Sequence, residues 1–176
     1  IALPAAFALA RHRFWWTTLL AGWVRVAQVV GGIIMIIPLY LVIRDLQLVN
    51  TFPGVSLAQA IPGVAFSTWI LSSFIAQIPT DLDDAAGIDG AGSLQILWQV
   101  IIPLIRPGII SVVILVFLQS WNDFLNPLIL LNDPSNYTIT IGLYTYVGMS
   151  GQTTQWGQLM SVSVLSCMIP ALLIIF

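Results

Sequence analysis

Trp121, Asn122 and Asp123 place an indole, an amide and a carboxylate side by side within a long apolar stretch. An ionisable group inside a membrane span costs on the order of +2.5–3.5 kcal/mol at its centre, so such groups usually face a cavity or a partner. Two readings are open for the trio. It lines a passage for a polar solute, where the Trp121 ring could stack on a sugar face, or it caps and packs against a neighbouring helix near an interface. A second set of chemistry-bearing residues, Asp81, Asp83, Asp84 and Asp89, crowds a short stretch between apolar runs. No pairing of nucleophile and base is visible. His12 is the sole histidine, flanked by Arg11 and Arg13, and Cys167 is the sole cysteine, so neither a disulfide nor a metal site can be built from them. The chain has no lysine and hence no Gly-x-x-x-x-Gly-Lys phosphate loop; it is not expected to hydrolyse ATP or to bind a cofactor.

The composition says what surrounds these residues. Of 176 residues, 59% are hydrophobic and 7% charged, with a mean hydropathy of +0.99. A soluble domain carries about 25% charged residues. A chain so poor in charge cannot cover a water-facing surface, and membrane lipid is its expected solvent. The cations are Arg11, Arg13, Arg25, Arg44 and Arg106, and the acids are Asp45, Asp81, Asp83, Asp84, Asp89, Asp123 and Asp133. No basic run points to nucleic acid.

A spanning helix needs about 20 mostly apolar residues. Approximate spans fall at 26–43, 55–78, 108–131 and 156–176, with a partial span at 1–10. They form a single transmembrane domain, read here as a fragment that lacks N-terminal spans. The runs are continuous rather than alternating, which favours helices over a barrel, so the fold class is an all-α polytopic bundle. Pro38, Pro62 and Pro170 fall inside spans, where neighbours can satisfy the freed carbonyls. Gly31 and Gly32 fit either close helix contact or a local kink. Arg11, Arg13 and Arg106 fall on one side and Arg44 on the other, which makes the 79–107 loop cytoplasmic and 132–155 external.

The 79–107 loop is the most informative segment. Thr80 followed by Asp83 fits a helix cap, and Asp81, Asp83 and Asp84 lie where the helix dipole favours acids. Leu82, Ala85 and Ala86 share one face, and Gly90-Ala91-Gly92 is a natural stop, with Gly90 expected at positive φ. Ser93 can cap a second helix with an apolar stripe of Leu94, Leu97, Trp98 and Ile101, ended by Pro103. Two short helices joined by a glycine turn would offer small residues to a docking protein; an ordinary interfacial helix pair is the alternative.

Asp84-Ala85-Ala86-Gly87-Ile88-Asp89-Gly90-Ala91, followed by Val100-Ile101-Ile102-Pro103, resembles the EAA loop of ABC importer permeases. That family's pattern is Glu-Ala-Ala, three residues, Gly, nine residues, then Ile-x-Leu-Pro. The spacing matches, with Asp84, Val100 and Ile102 as conservative departures. Ile37-Pro38-Leu39-Tyr40, Leu48-Val49-Asn50-Thr51, Ile78-Pro79, the stretch from Ser120 to Leu128, and Trp156-Gly157 are similar to the sugar-permease branch. The resemblance implies a MetI-like permease fold with five core helices and a cytoplasmic coupling helix pair. It implies a second permease subunit in a heterodimer, an ABC ATPase dimer that uses ATP and Mg, and an extracytoplasmic solute-binding protein. Carried over position by position, it makes Asp84, Ala85, Ala86, Asp89, Gly90, Ala91 and Pro103 the ATPase-coupling residues. The implied function is carbohydrate import at the cell membrane. A same-family permease for a glycerol phosphodiester, polyamine or amino acid is the alternative, and a structural or assembly membrane protein is a further one.

Overall fold

The computed structural model describes residues 1–11, 19, 22, 32–147 and 156–175. It is all-α, with no strand among the described residues. In chain order the helices are α1 (Ala2–Arg11), α2 (Gly32–Asp45), α3 (Phe52–Ala76), α4 (Asp81–Ile88), α5 (Ser93–Leu104), α6 (Arg106–Trp121), α7 (Leu125–Leu130), α8 (Ile139–Thr145) and α9 (Trp156–Ile175), with a 3₁₀ turn at Pro134–Asn136. The chain divides into two compact units. One comprises Ile1–Gly31 and Ile61–Val116, the other Gly32–Ala60 and Phe117–Phe176.

Among the described residues, Phe52–Ala76 and Trp156–Ile174 are each long and apolar enough to cross a membrane. The pair α5 and α6, bent by 80° at Ile105, makes a third if counted as one broken span. The expected 26–43 span is described only from residue 32, where α2 covers 14 residues; residues 26–31, with Gly31, lie outside the described residues, as do His12, Arg13, Arg25 and 148–155 of the external loop. The expected 108–131 span is not one continuous helix. α6 stops at Trp121, residues 122–124 leave the helix, and α7 restarts at Leu125. The reason is local: Pro127 can donate no backbone bond, and an Asp123 carboxylate oxygen accepts from the Asn126 amide at 3.4 Å, so a side chain takes over from the helical ladder. Pro38, Pro62 and Pro170 do sit inside helices. α9 leaves Val164, Leu165, Met168 and Leu172 at least half exposed. An unbroken apolar helix surface of this kind suits hydrocarbon rather than water.

The first unit is built around Ala6, Leu71, Ile75, Leu97, Ile101 and Ile105, all buried. Gly108 lets α6 approach α3 closely, because a β-carbon there would lie 2.9 Å from the Phe74 ring. The second unit has its own core of Ile43, Val55, Ala58, Leu130, Leu131 and Ile141. Its loops are tied at Asn50, which adopts the left-handed conformation (φ 61°) that asparagine tolerates better than most residues. The Asn50 Oδ1 accepts from the amides of Asn132 and Asp133 at 3.0 and 3.1 Å, and its own amide donates to the Leu130 carbonyl at 2.8 Å. In the same loop the Ser135 amide donates to Asp133 Oδ1 at 2.9 Å and holds that carboxyl below the usual range.

Candidate functional site

Two groups of residues singled out in the sequence are brought into defined settings, one in each unit. In the first unit, α4 and α5 form the helix pair expected between 79 and 107. α4 ends at Asp89 and Gly90, and Gly90 has φ 84°. The Ala91 amide donates to the Ala86 carbonyl and the Gly90 amide to that of Gly87, both at 3.0 Å. This is the Schellman arrangement, which needs a left-handed residue at the Gly90 position. Ala86 and Ala91, the residues that flank it, pack against the core of the unit. Asp84, Ala85, Asp89 and Gly90 remain exposed, and a β-carbon at Gly87 or Gly90 would meet nothing within 4 Å. Of the small residues expected to face a partner, Ala85 and Gly90 are exposed and Ala86 packs inward.

Other local expectations need correction. Thr80 makes no side-chain capping bond; its carbonyl accepts the amides of Asp83 and Asp84 at 2.9 and 3.1 Å instead. The Asp83 carboxylate is drawn to Arg11, whose Nε lies 2.6 Å away. Ser93 is the first residue of α5 and makes no cap bond. Pro103 does not end α5, which runs to Leu104 and breaks at Ile105. The ring at 103 cannot donate to the Gln99 carbonyl, and a π-turn over Leu97–Ile101 opens the helix just ahead of it. The buried stripe differs in part from the expected one. Ile96, Leu97, Ile101 and Ile105 are buried, while Leu94 and Trp98 are 71% and 65% exposed. Ile88, the last residue of α4, is likewise 88% exposed.

In the second unit, Trp121 and Asp123 line a cavity of about 260 Å³. Phe117 lies beside Trp121, with ring centroids 5.5 Å apart, and Phe52 adds a further aromatic to the lining. Asp123 does not stand alone. Gln59 Nε2 donates to its Oδ2 at 3.0 Å and Asn126 Nδ2 donates to the same atom at 2.8 Å. Ser120 Oγ donates to the Gln59 carbonyl oxygen, and Thr140 Oγ1 to the Asp123 backbone carbonyl at 3.1 Å. Asn122 does not join the cavity: it is exposed, and its Nδ2 donates back to the Leu118 carbonyl at 2.8 Å. Gln59 is the residue that the sequence hides. It sits in an apolar helix 64 positions from Asp123, with only its polarity as a signal.

The chain is similar to known transport proteins along most of its length. An ABC transporter permease protein of Streptomyces antibioticus is 35% identical over 154 residues, covering 88% of this chain and 67% of that one. The trehalose/maltose transport system permease protein of Thermococcus litoralis is 33% identical over 162 residues, covering 92% and 58%. The sn-glycerol-3-phosphate transport system permease protein of Yersinia pestis is 26% identical over 175 residues, covering 99% and 62%. A crystal structure of a bacterial ABC transporter involved in import of the acidic polysaccharide alginate superposes with a TM-score of 0.71 at 25% identity, covering 96% of this chain and 61% of that one. The chain thus spans about three fifths to two thirds of the length of these proteins. The sequence profile of one family matches residues 2–176, and the chain belongs to that family, the inner membrane components of binding-protein-dependent transport systems.

Proposed function

We infer that this chain is part of the multi-pass membrane permease of an ATP-driven importer, coupled through α4 and α5 to a separate ATPase and forming half of a pathway for a carbohydrate. The observation that carries this reading is the Schellman turn at Gly90, which leaves Ala85, Gly87 and Gly90 uncovered in a helix pair that also exposes Ile88, Leu94 and Trp98. Small residues allow another backbone to approach, and the exposed apolar side chains supply the area to bury once it has done so. Asp84, Ala85, Asp89 and Gly90 face that partner, while Ala86, Ala91 and Pro103 hold the pair in shape. The partners are a second permease subunit, an ATPase dimer that binds ATP and Mg, and an extracytoplasmic solute-binding protein. The chain itself binds no cofactor.

Carbohydrate is the favoured solute because a relative named for trehalose/maltose matches most of the chain and because aromatic and hydroxyl side chains line the Trp121 cavity. The relative named for sn-glycerol-3-phosphate supports a second reading, a phosphorylated polyol. Uptake of labelled sugars by cells carrying the complete system decides between them. Competition by neutral carbohydrates supports the first reading. Competition by glycerol phosphates, amino acids or peptides alone overturns it.

A further inference from the structure

We propose that the cavity bounded by Gln59, Trp121 and Asp123 is a subsite for a single neutral sugar ring and discriminates against anionic solutes. The proposal rests on the carbohydrate reading and deepens it by naming the class of sugar. The site is roomy for one ring and small for a chain: about 260 Å³, just below the ≈ 300–1,000 Å³ of pockets that take drug-sized ligands. Its lining is two-sided in chemistry. Phe52, Phe117 and Trp121 offer apolar faces, and Ser56, Gln59, Ser120 and Asp123 offer polar atoms.

The polar atoms are held in place but not used up. An amide has two donor hydrogens and two acceptor sites, and a carboxylate about four acceptor sites. Gln59 spends one donor on Asp123 and one acceptor site on Ser120, and so keeps one of each. Asp123 receives Gln59, Asn126 Nδ2 and the Asn126 amide, leaving acceptor capacity on the carboxylate. A sugar hydroxyl both donates and accepts, so neighbouring hydroxyls match this remaining set. A phosphate or carboxylate accepts only and brings a second negative charge to Asp123.

Charge settles the class. Arg44 is the only cation in the sequence of the second unit. It is exposed, bonded to Asp45 at 3.0 Å, and does not line the cavity. Sites built for phosphate or carboxylate characteristically use Arg or Lys. Here an anion would meet an Asp123 carboxylate with no cation of the same unit beside it, an arrangement that rejects by repulsion.

The test uses the complex of permease and ATPase subunits in lipid nanodiscs, with the binding protein left out so that sugar binding reports the membrane subunits. Methyl α-glucoside, glucose 6-phosphate and glycerol 3-phosphate are titrated by saturation-transfer NMR. The neutral glucoside should bind at least about tenfold more tightly than either phosphate. Trp121→Ala and Gln59→Leu should each weaken glucoside binding by about tenfold, the first by removing an aromatic face and the second by removing a donor and an acceptor together. Asp123→Asn should bring the neutral and anionic sugars within about threefold of each other, while Asp45→Asn should leave their ratio unchanged. Equal binding of glucoside and phosphate by the unaltered complex, no glucoside binding at all, or indifference to Trp121→Ala in an assembled complex overturns the proposal. Uptake by intact cells is measured alongside. Carbohydrate import that persists without sugar at this cavity removes the subsite and leaves the import reading standing. Glucoside binding here without any carbohydrate import removes the import reading.

Discussion

The Arg11 guanidinium lies against the Asp83 carboxylate, Nε to Oδ2 at 2.6 Å, with 8% and 17% of the two side chains exposed. The pair joins residues 72 positions apart, the end of α1 and the first turn of α4. Arg11 Nη1 also donates to the Ile78 carbonyl at 2.9 Å, just beyond α3. One side chain therefore fixes three segments at the root of the helix pair.

Removing Arg11 strands a nearly buried carboxylate and an unpaired carbonyl. Arg11→Ala should cost about 1.5–3 kcal/mol, the range for hydrogen bonds to charged groups. Adding Asp83→Ala should restore part of that loss, because the stranded charge is gone. Thermal melts of the purified protein in detergent give the double-mutant cycle. Strictly additive losses would contradict the coupling.

Gly90 is in open space but at φ 84°, so a side chain there meets strain rather than a clash within the chain. A left-handed non-glycine residue costs about 1–2 kcal/mol, and a branched one also projects toward the docking partner. Gly90→Val should leave the protein in the membrane while transport fails and ATPase activity no longer responds to the loaded binding protein. Substitution at exposed Gln95 serves as the control. Normal transport by Gly90→Val would remove α4 and α5 from the coupling role.

Orientation is read by labelling. Ser93 and Ser135 are both exposed, and Cys167, also exposed, is replaced by serine to give a blank background. An impermeant thiol reagent added to intact cells should label a cysteine at 135 and not one at 93. The reverse pattern inverts the topology.

Asn50 supplies both an acceptor and a tolerated left-handed backbone. Asn50→Ala loses both, stranding the amides of Asn132 and Asp133, and should cost about 2 kcal/mol. Asn50→Gly relieves the backbone but not the amides, so its loss should be smaller. Limited proteolysis of 132–138 together with melting temperatures ranks the two; glycine proving as harmful as alanine would show that the backbone conformation is unimportant.

What the sequence made legible follows from local physics. Continuous apolar runs at 55–78 and 156–176 announce the helices found at Phe52–Ala76 and Trp156–Ile175, and the acidic turn at Asp81–Asp84 with the Gly90-Ala91-Gly92 stop announces a helix pair with a left-handed glycine between its members. What it hid depends on distance along the chain or on small changes of helical pitch. Nothing near Arg11 names Asp83, and nothing near Asp123 names Gln59, because each partner is more than 60 positions away. Of the expected stripe on α5, Leu97 and Ile101 are buried and share their side with Ile105, four residues on, while Leu94 and Trp98 turn outward; the side a short surface helix buries is set by what it packs against, which no local pattern states.

The 80° elbow at Ile105 gives α5 and α6 the geometry of a bell crank. A straight rod pushed at one end moves only along itself, but a rigid arm bent near a right angle converts a push on one limb into a sideways sweep of the other. The pivot is held firmly: Ile105 is buried at the bend, and Gly108, three residues on, lies flush against the Phe74 ring. A force on the exposed Leu94 and Trp98 side chains therefore acts at the end of a lever whose output limb is the long apolar helix.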